Sequence, residues 1–300
     1  MNFILTLVAS DIHLSAGHLA TIESFAEKEG ILLTGEPEWL SENIAADIPI
    51  AEPLTLDQMQ KLRLLLEKDK IDGFCTSAAN RRKKLLLADM DSTIVTSETL
   101  DEIAAEAGIK DKVAAITERT MRGELDFHAA IKERVGLLKD LPDNALAKTL
   151  ADTQISKGAA MAVGTMQENG ATCILISGGF TIFTQDIAQK LGFAGHHGNI
   201  LGIKDGKLTG TVEEPILDKE SKLAFLKAYT QQLNIDLAET MAIGDGANDL
   251  PMLAAAGVGI GYHPKPLLEE NILNCIRHTD LTSMLYIQGY RQEEFIHNKS

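Results

Sequence analysis

Four short apolar runs, each closed by a glycine, serine or aspartate, constrain the fold more than any other feature of the sequence. Such runs are typical of strands that are buried on both faces of a parallel sheet. Helical stretches separate the runs, and this alternation predicts a doubly wound α/β fold. The runs are residues 85–89, 172–177, 240–244 and 257–261.

The interval between the first two runs is unusually long. Residues 98–165 hold several helical patterns and no obvious strand, which predicts a helical cap inserted after the first strand of the sheet. In an open α/β sheet such an insertion lies over the carboxyl ends of the strands, where ligands bind. Further along, Asp205-Gly206 stands between two alternating runs within 198–212, which predicts a β-hairpin.

Residues 1–80 show a different pattern, with the predicted order βαββαβ of a ferredoxin-like α/β domain. The predicted strands are 2–9, 31–35, 44–51 and 71–75, and the predicted helices are 16–28 and 55–69. The basic run RRKK at 81–84 is interpreted as a solvated linker rather than a nucleic-acid patch. The predicted core of the second domain then comprises 84–97 and 166–295, with 98–165 as its cap.

Charge and cysteine usage narrow the class of partner and compartment. The formal net charge is −15, which disfavours nucleic acid and anionic membrane surfaces as partners. The apolar run at the N-terminus meets Asp11 early and has no basic flank, so neither a signal peptide nor a membrane span is expected. Cys75, Cys173 and Cys275 are far apart, which favours reduced thiols in a cytoplasmic protein.

Carboxylates follow two of the predicted strands. Asp89 and Asp91 point to the same side of a strand end, where like charges raise each other's pKa unless a cation holds them. A solvated turn is the alternative for this pair alone. Asp245 and Asp249 follow the run 240–244, and oxygen ligands from two adjacent strand ends suit Mg²⁺.

Two further elements suggest phosphate chemistry. After the run 172–177, Ser177-Gly178-Gly179 predicts a turn into a helix, whose backbone N–H groups could hold a phosphate. Many such turns only close a strand–helix junction, and Lys222 alone would be a solvated helix lysine. Together the groups predict phosphoryl transfer to an aspartate, with Asp89 as nucleophile and Asp91 as general acid and base. Mg²⁺ and Lys222 would offset the phosphoryl charge.

These residues resemble the four motifs of the haloacid dehalogenase superfamily, in the same order. The motifs are DMDST at 89–93, SGG at 177–179, Lys222 and GDGAND at 244–249. Within the superfamily, three cap segments resemble those of phosphoserine phosphatases. The segments are 97–108, 120–127 and 133–142. Residues 1–80 show a weaker similarity to ACT-like domains, which implies a regulatory or dimerising role and a homodimer through this domain.

The resemblance implies roles for individual residues and hydrolysis of O-phospho-L-serine to L-serine and phosphate. The implied Mg²⁺ ligands are Asp89, the backbone carbonyl of Asp91, and Asp245. The implied phosphate ligands and their supports are Ser177, Gly178, Lys222, Asn248 and Asp249. In the cap, Glu98 would face the substrate ammonium group and Arg134 its carboxylate, and the enclosing side chains would be Met121 and Phe127.

Two alternatives share these residues. A phosphotransferase would pass the phosphoryl group to another hydroxyl, such as that of homoserine, and would need the same catalytic groups. An amino-acid-responsive module at residues 1–80 would change activity or oligomeric state, whereas a purely structural domain there would do neither.

Overall fold

In the computed structural model, the described residues are 2–10, 13–121 and 124–296. A six-stranded sheet forms the centre of the larger part of the chain, in the strand order β12-β11-β10-β5-β6-β7. Its strands are β5 (Leu85–Asp89), β6 (Thr172–Phe180), β7 (Gly195–Asn199), β10 (Thr240–Gly244), β11 (Val258–Tyr262) and β12 (Asn274–Ile276). All neighbouring pairs run parallel, so their carboxyl ends meet at one edge of the sheet.

The predicted doubly wound α/β fold is confirmed, and the four apolar runs form buried strands. The strands at the two ends of the sheet, β7 and β12, were not predicted. Helices cover the sheet and bury its apolar side chains in two clusters. These helices are α7 (Ala159–Glu168), α8 (Thr181–Leu191), α9 (Lys219–Leu233), α10 (Leu250–Ala255), α11 (Pro266–Glu269) and α12 (Ser283–Ile287).

Four helices lie between β5 and α7, in the interval predicted to hold the cap. They are α3 (Thr99–Glu106), α4 (Lys110–Met121), α5 (Phe127–Gly136) and α6 (Asn144–Asp152). Helix α7 begins inside the predicted cap range, yet Ala162 and Val163 belong to the same core cluster as Leu175 of β6. The division of the chain into domains stays a prediction.

The predicted hairpin is present as β8 (Leu201–Lys204) and β9 (Lys207–Val212). Asp205 and Gly206 both have positive φ, at 53° and 74°, as a two-residue hairpin of the primed type requires. Lys207 bridges to Pro142, which lies between α5 and α6, so the hairpin contacts the predicted cap.

The N-terminal part has the predicted βαββαβ order around an antiparallel sheet, β2-β3-β1-β4. Its elements are β1 (Phe3–Ala9), α1 (Ala16–Glu29), β2 (Glu38–Ser41), β3 (Ala45–Ile50), α2 (Leu56–Leu66) and β4 (Ile71–Ser77). The prediction of a strand at 31–35 is wrong. Leu33 makes a single bridge to Ile50, because the neighbouring Pro49 has no N–H to extend a ladder.

The basic run 81–84 is not a solvated linker, and that interpretation is wrong. Arg81 donates to Asp47 at 2.5 Å and to Thr6 at 2.9 Å in the N-terminal sheet, and its Nε donates to the carbonyl of Ile287. Lys83 is buried, and burial lowers the pKa of its ammonium group to about 8. Arg81 therefore joins the N-terminal sheet to the core. Within the described residues, no helix has both the length and the apolar character needed to cross a membrane.

Candidate active site

The carboxyl ends of β5 and β10 bring the predicted carboxylates together. Asp89 is the last residue of β5, and Asp245 follows directly after β10, the parallel neighbour of β5. One oxygen each of Asp89, Asp245 and Asp249 lies within 4.8 Å of the others, and all three residues are buried. Adjacent parallel strands explain this cluster, because their ends lie at one edge of the sheet.

Lys222 lies beneath this cluster, near the start of α9. Its Nζ is 2.5 Å from Asp89 Oδ1 and 2.6 Å from Asp249 Oδ1, and the side chain is 1% exposed. Burial alone would lower the pKa of Lys222, but the charges of Asp249 and Asp89 outweigh it and raise the pKa. The ammonium group therefore stays charged and keeps a positive charge beside Asp89.

The acidic cluster carries more negative charge than Lys222 offsets. Burial, followed by the charge of Asp249, raises the pKa of Asp89 well above its ordinary value, and burial raises the pKa of Asp245. Asp249 is already engaged, since its Oδ1 accepts from Lys222 and its Oδ2 from the Gly246 N–H. Asp89 and Asp245 thus offer hard oxygen donors in a cluster whose three carboxylates exceed its two lysine partners, Lys222 and Lys265, which fits a divalent cation.

Asp91 lies on the pocket side of the turn after β5. Its Oδ1 accepts a hydrogen bond from the Thr99 N–H at 2.8 Å, and its Oδ2 accepts one from Ser177 Oγ at 2.9 Å. Burial, and then the charge of Glu98, raises the pKa of this carboxyl. A raised pKa favours the protonated form of a carboxyl group, which a general acid needs.

Ser177 and the two glycines after it differ from the prediction. They belong to β6, which continues to Phe180 through a register shift, so no turn into a helix begins at Ser177. The Gly179 N–H donates to Ser177 Oγ at 2.7 Å. A Cβ atom on Gly179 would lie 2.7 Å from Asp91 Oδ2, so glycine is required for the carboxyl to approach the strand.

A pocket of about 390 Å³ opens above these groups, between the sheet and α3 to α5. Nine residues predicted for the site line it: Asp89, Asp91, Glu98, Phe127, Arg134, Ser177, Gly178, Asp245 and Asn248. Lys222 and Asp249 lie beneath the pocket. Lys222 contacts both Asp249 and Asp89. Met121 was also predicted to enclose the substrate, but its side chain lies outside the part of the chain that the structure describes.

The cap side of the pocket carries charges of both signs. Glu98 Oε1 accepts from Ser92 Oγ at 3.0 Å. Arg134 Nη2 is 2.9 Å from Asp101 Oδ1, while its buried Nε has no hydrogen-bond partner in the described structure. Arg134 lines the pocket, and a guanidinium group in the lining of a pocket is suited to bind an anionic group of a ligand.

Sequence reasoning missed two charged residues of this pocket region. Lys265 Nζ lies 2.9 Å from Asp245 Oδ2 and 3.3 Å from Glu98 Oε1, so it links the acidic cluster to the cap side. The available signal was its position between two prolines directly after the run 257–261. Asp101, the partner of Arg134, is one acidic residue among several on α3 and gave no distinguishing signal.

The fold and the four clustered motifs define a hydrolase class. Residues 86–254 match the haloacid dehalogenase-like hydrolase family, and the chain belongs to this family. The predicted recognition of the superfamily is confirmed.

Individual relatives narrow the similarity further. Phosphoserine phosphatase of Methanocaldococcus jannaschii is 40% identical over 205 residues, which are 68% of this chain and 97% of that protein. A phospho-aspartyl intermediate analogue of phosphoserine phosphatase is 40% identical, with a TM-score of 0.64 over 68% of this chain and 98% of that one. For several longer relatives, also named phosphoserine phosphatase, the matched region spans about half their length.

Solved structures also match nearly the whole chain, including the N-terminal sheet. A HAD family hydrolase from Salmonella enterica serovar Typhi has a TM-score of 0.84 at 29% identity, covering 95% of this chain and 98% of that one.

Proposed function

We propose that this enzyme hydrolyses O-phospho-L-serine to L-serine and phosphate through an aspartyl-phosphate intermediate on Asp89. The proposal rests on Asp89, held by Lys222, at the floor of a pocket whose wall includes Glu98 and Arg134. The floor suits a phosphoryl group, and the wall suits the ammonium and carboxylate groups of an amino acid. The relatives named phosphoserine phosphatase support the same substrate.

The first step is attack of an Asp89 carboxylate oxygen on phosphorus. The ester P–O bond breaks, its electron pair passes to the serine oxygen, and that oxygen takes a proton from Asp91. The raised pKa of Asp91 favours the protonated form that this step needs. Lys222 keeps a charged ammonium group 2.5 Å from Asp89 and so favours the ionised nucleophile.

The second step releases phosphate. Asp91, now ionised, takes a proton from a water molecule, whose oxygen attacks the phosphorus of the aspartyl-phosphate. The bond between phosphorus and Asp89 breaks, which restores both aspartates to their starting forms. The contact from Ser177 Oγ orients Asp91, and Ser177 and Gly178 lie where they can contact the phosphoryl oxygens.

We assign the cofactor as Mg²⁺, held by Asp89, Asp245 and the backbone carbonyl of Asp91. Bound there, Mg²⁺ would withdraw negative charge from the phosphoryl oxygens. The support for this assignment is the three buried carboxylates, which outnumber the two lysines that contact them, Lys222 and Lys265. Asp249 and Asn248 would support this arrangement from the neighbouring turn.

Substrate selection rests on the two cap charges. Glu98 would accept from the substrate ammonium group, in place of its present contact with Lys265. The guanidinium group of Arg134, which lines the pocket, would donate to the substrate carboxylate, while Asp101 holds its Nη2. Phe127 and Met121 would enclose the bound amino acid.

A substrate panel tests the proposal. Phosphate release is measured from O-phospho-L-serine, O-phospho-L-threonine, a sugar phosphate and an aryl phosphate, with Mg²⁺ or EDTA and with Asp89→Asn as the blank. We expect a strong preference for phosphoserine that both EDTA and the substitution abolish. Equal activity on all four would contradict the roles of Glu98 and Arg134. Added homoserine yielding phosphohomoserine would favour the transferase, which uses the same residues but which the named relatives do not favour.

We also propose that two copies of the chain pair through the N-terminal domain and that the protein is cytoplasmic. Leu64 on α2 is 76% exposed and its neighbour Leu65 is 41% exposed, which supports pairing of two copies through the N-terminal domain. The mass in solution of Leu64→Asp, compared with that of the native chain, tests this pairing. The buried free thiols of Cys75, Cys173 and Cys275 support a cytoplasmic location.

A further inference from the structure

A second cavity, separate from the catalytic pocket, lies between the N-terminal sheet and the core. It has a volume of about 580 Å³, within the usual range for small-molecule sites. We call it the junction cavity, and its polar lining includes Ser10, His13, Asn43, Lys157, His263 and Asp280. The proposed reaction uses none of these residues.

The junction cavity gathers basic groups in an acidic protein. The chain has a net charge of −15 and eight histidines, of which His13, His263 and His278 line this one cavity beside Lys157. Within the described residues, the imidazoles of His13 and His263 have no hydrogen-bond or ion-pair partner. Within the part of the chain that the structure describes, Asp280 is the one carboxylate that lines the cavity; Thr282 engages its Oδ1, and Lys157 Nζ lies 3.1 Å from its Oδ2. Unpartnered donors around a space of this size suit an anion.

One wall of the junction cavity continues into the catalytic pocket. His263 lines the cavity, and Lys265, two residues later, lines the catalytic pocket and contacts Asp245 and Glu98. The segment between them is fixed at both ends, because His263 N donates to Ile276 O and Lys265 N donates to Asp245 O, each at 2.8 Å. His263 also has a positive φ of 40°, which is rare for a non-glycine residue.

A second wall adjoins the base of the cap. The chain leaves and re-enters the core through two segments joined by the bridge between Val95 and Ile155 and by the bond from Ser156 N to Ile94 O. Lys157 follows this connection directly and lines the junction cavity. A ligand at Lys157 and His263 would therefore touch both the base of the cap and the segment that carries Lys265.

We propose that the junction cavity is a regulatory site for a small anion, whose binding is coupled to the catalytic pocket through residues 262–265 and the base of the cap. The anionic group would bind to Lys157 and the imidazoles of His13 and His263. Carboxylates and inorganic phosphate share this chemistry. The binding claim is independent of the proposed phosphatase function.

Calorimetry on the full chain with Mg²⁺ tests the site, using sodium acetate, L-serine and inorganic phosphate as separate probes. An Arg134→Met background removes the amino-acid site of the catalytic pocket. In that background Lys157→Met removes the anion partner, and Ser10→Trp fills the cavity from an exposed position. Lys190→Met is the matched control, because Lys190 is also an exposed lysine paired with an aspartate.

We expect at least one probe to bind, with a Kd that Lys157→Met and Ser10→Trp each weaken about tenfold or more and Lys190→Met leaves unchanged. The probe that binds identifies the class of anion. Absence of binding for all three probes, or equal binding by the Lys157→Met and Lys190→Met variants, would overturn the site. Thermal melting of each variant verifies folding, and Ser10→Trp decides the matter if Lys157→Met does not fold.

Hydrogen exchange tests the coupling separately from activity. The bound probe should slow exchange of the His263 and Lys265 amides in the control variant, and at the same probe concentration it should slow them less in Lys157→Met, because less of that variant is occupied. Unchanged exchange in this segment, despite binding, would overturn the coupling while leaving the binding site in place.

Discussion

Lys222→Met is the perturbation with the clearest structural consequence. The substitution removes the ammonium group from between Asp89 and Asp249, whose side chains are 5% and 0% exposed. Methionine has a similar volume, so the main loss is charge rather than packing. Removing one partner from a buried ion pair leaves an uncompensated charge and costs about 3–5 kcal/mol. We expect the free energy of unfolding to fall by that amount.

The assay is urea unfolding in EDTA at about pH 8. Chelation matters because a bound cation would offset Asp89, and the pH matters because a buried carboxylate escapes part of the penalty by taking up a proton. Lys227→Met is the control on the same helix, where the lysine is exposed, and it should change stability by no more than about 0.5 kcal/mol.

A double variant separates charge from packing. Lys222→Met with Asp249→Asn removes one carboxylate together with the lysine, so it should recover about 2 kcal/mol relative to Lys222→Met alone. Simple addition of the two single losses, or a loss below about 1 kcal/mol for Lys222→Met, would refute the view that Lys222 is the counter-ion of this buried cluster.

Three further outcomes follow from other contacts. Arg134→Met should raise KM for phosphoserine about 10- to 100-fold, because one charge-assisted hydrogen bond to the substrate carboxylate is lost. Turnover of an aryl phosphate, which has no such carboxylate, should hardly change. Equal losses of activity on both substrates would contradict the role of Arg134 in binding the carboxylate. Lys83 has a folded pKa of about 8, below the ordinary 10.5, so the unfolded chain binds more protons between these values and stability rises with pH there. Relative to Lys83→Met, the native chain should gain about 1–2 kcal/mol between about pH 7.5 and pH 10, allowing for partial solvation; parallel pH profiles in urea unfolding would exclude this. Arg81→Met should lower the free energy of unfolding by about 3–5 kcal/mol, because it leaves the buried Asp47 without its ion-pair partner. Lys84→Met, at an exposed lysine, is the control and should leave the urea midpoint nearly unchanged. Equal midpoints for the two variants would contradict the link between the N-terminal sheet and the core.

The central strands could be predicted from the sequence because burial on both faces leaves a continuous apolar run, as in 85–89. The two outer strands escape this signal. Strand β7 reads Gly-His-His-Gly-Asn and lies at the sheet edge, where its first four residues are only partly buried, so no continuous apolar run marks it. Strand β12 has three residues, too few to show a period.

The acidic cluster was predictable because parallel topology brings strand ends together, so Asp89 and Asp245 had to be neighbours. Pairings between segments that are distant in the sequence could not be predicted in this way. Arg81 is partly buried beside Asp47, 34 positions earlier, and no local pattern reveals that partner. The same holds for Lys265, whose contacts with Asp245 and Glu98 depend on how the loop after β11 returns to the pocket.

The most direct test of the account is chemical identification of the phosphorylated residue. The enzyme is mixed with O-phospho-L-serine and Mg²⁺, quenched in acid within one turnover, and digested for mass spectrometry. The account predicts one added phosphoryl group on the peptide that contains Asp89, removed by hydroxylamine as an acyl phosphate is, and absent from Asp89→Asn. An enzyme that turns over phosphoserine with no label on Asp89, or with the label on another residue, would contradict it.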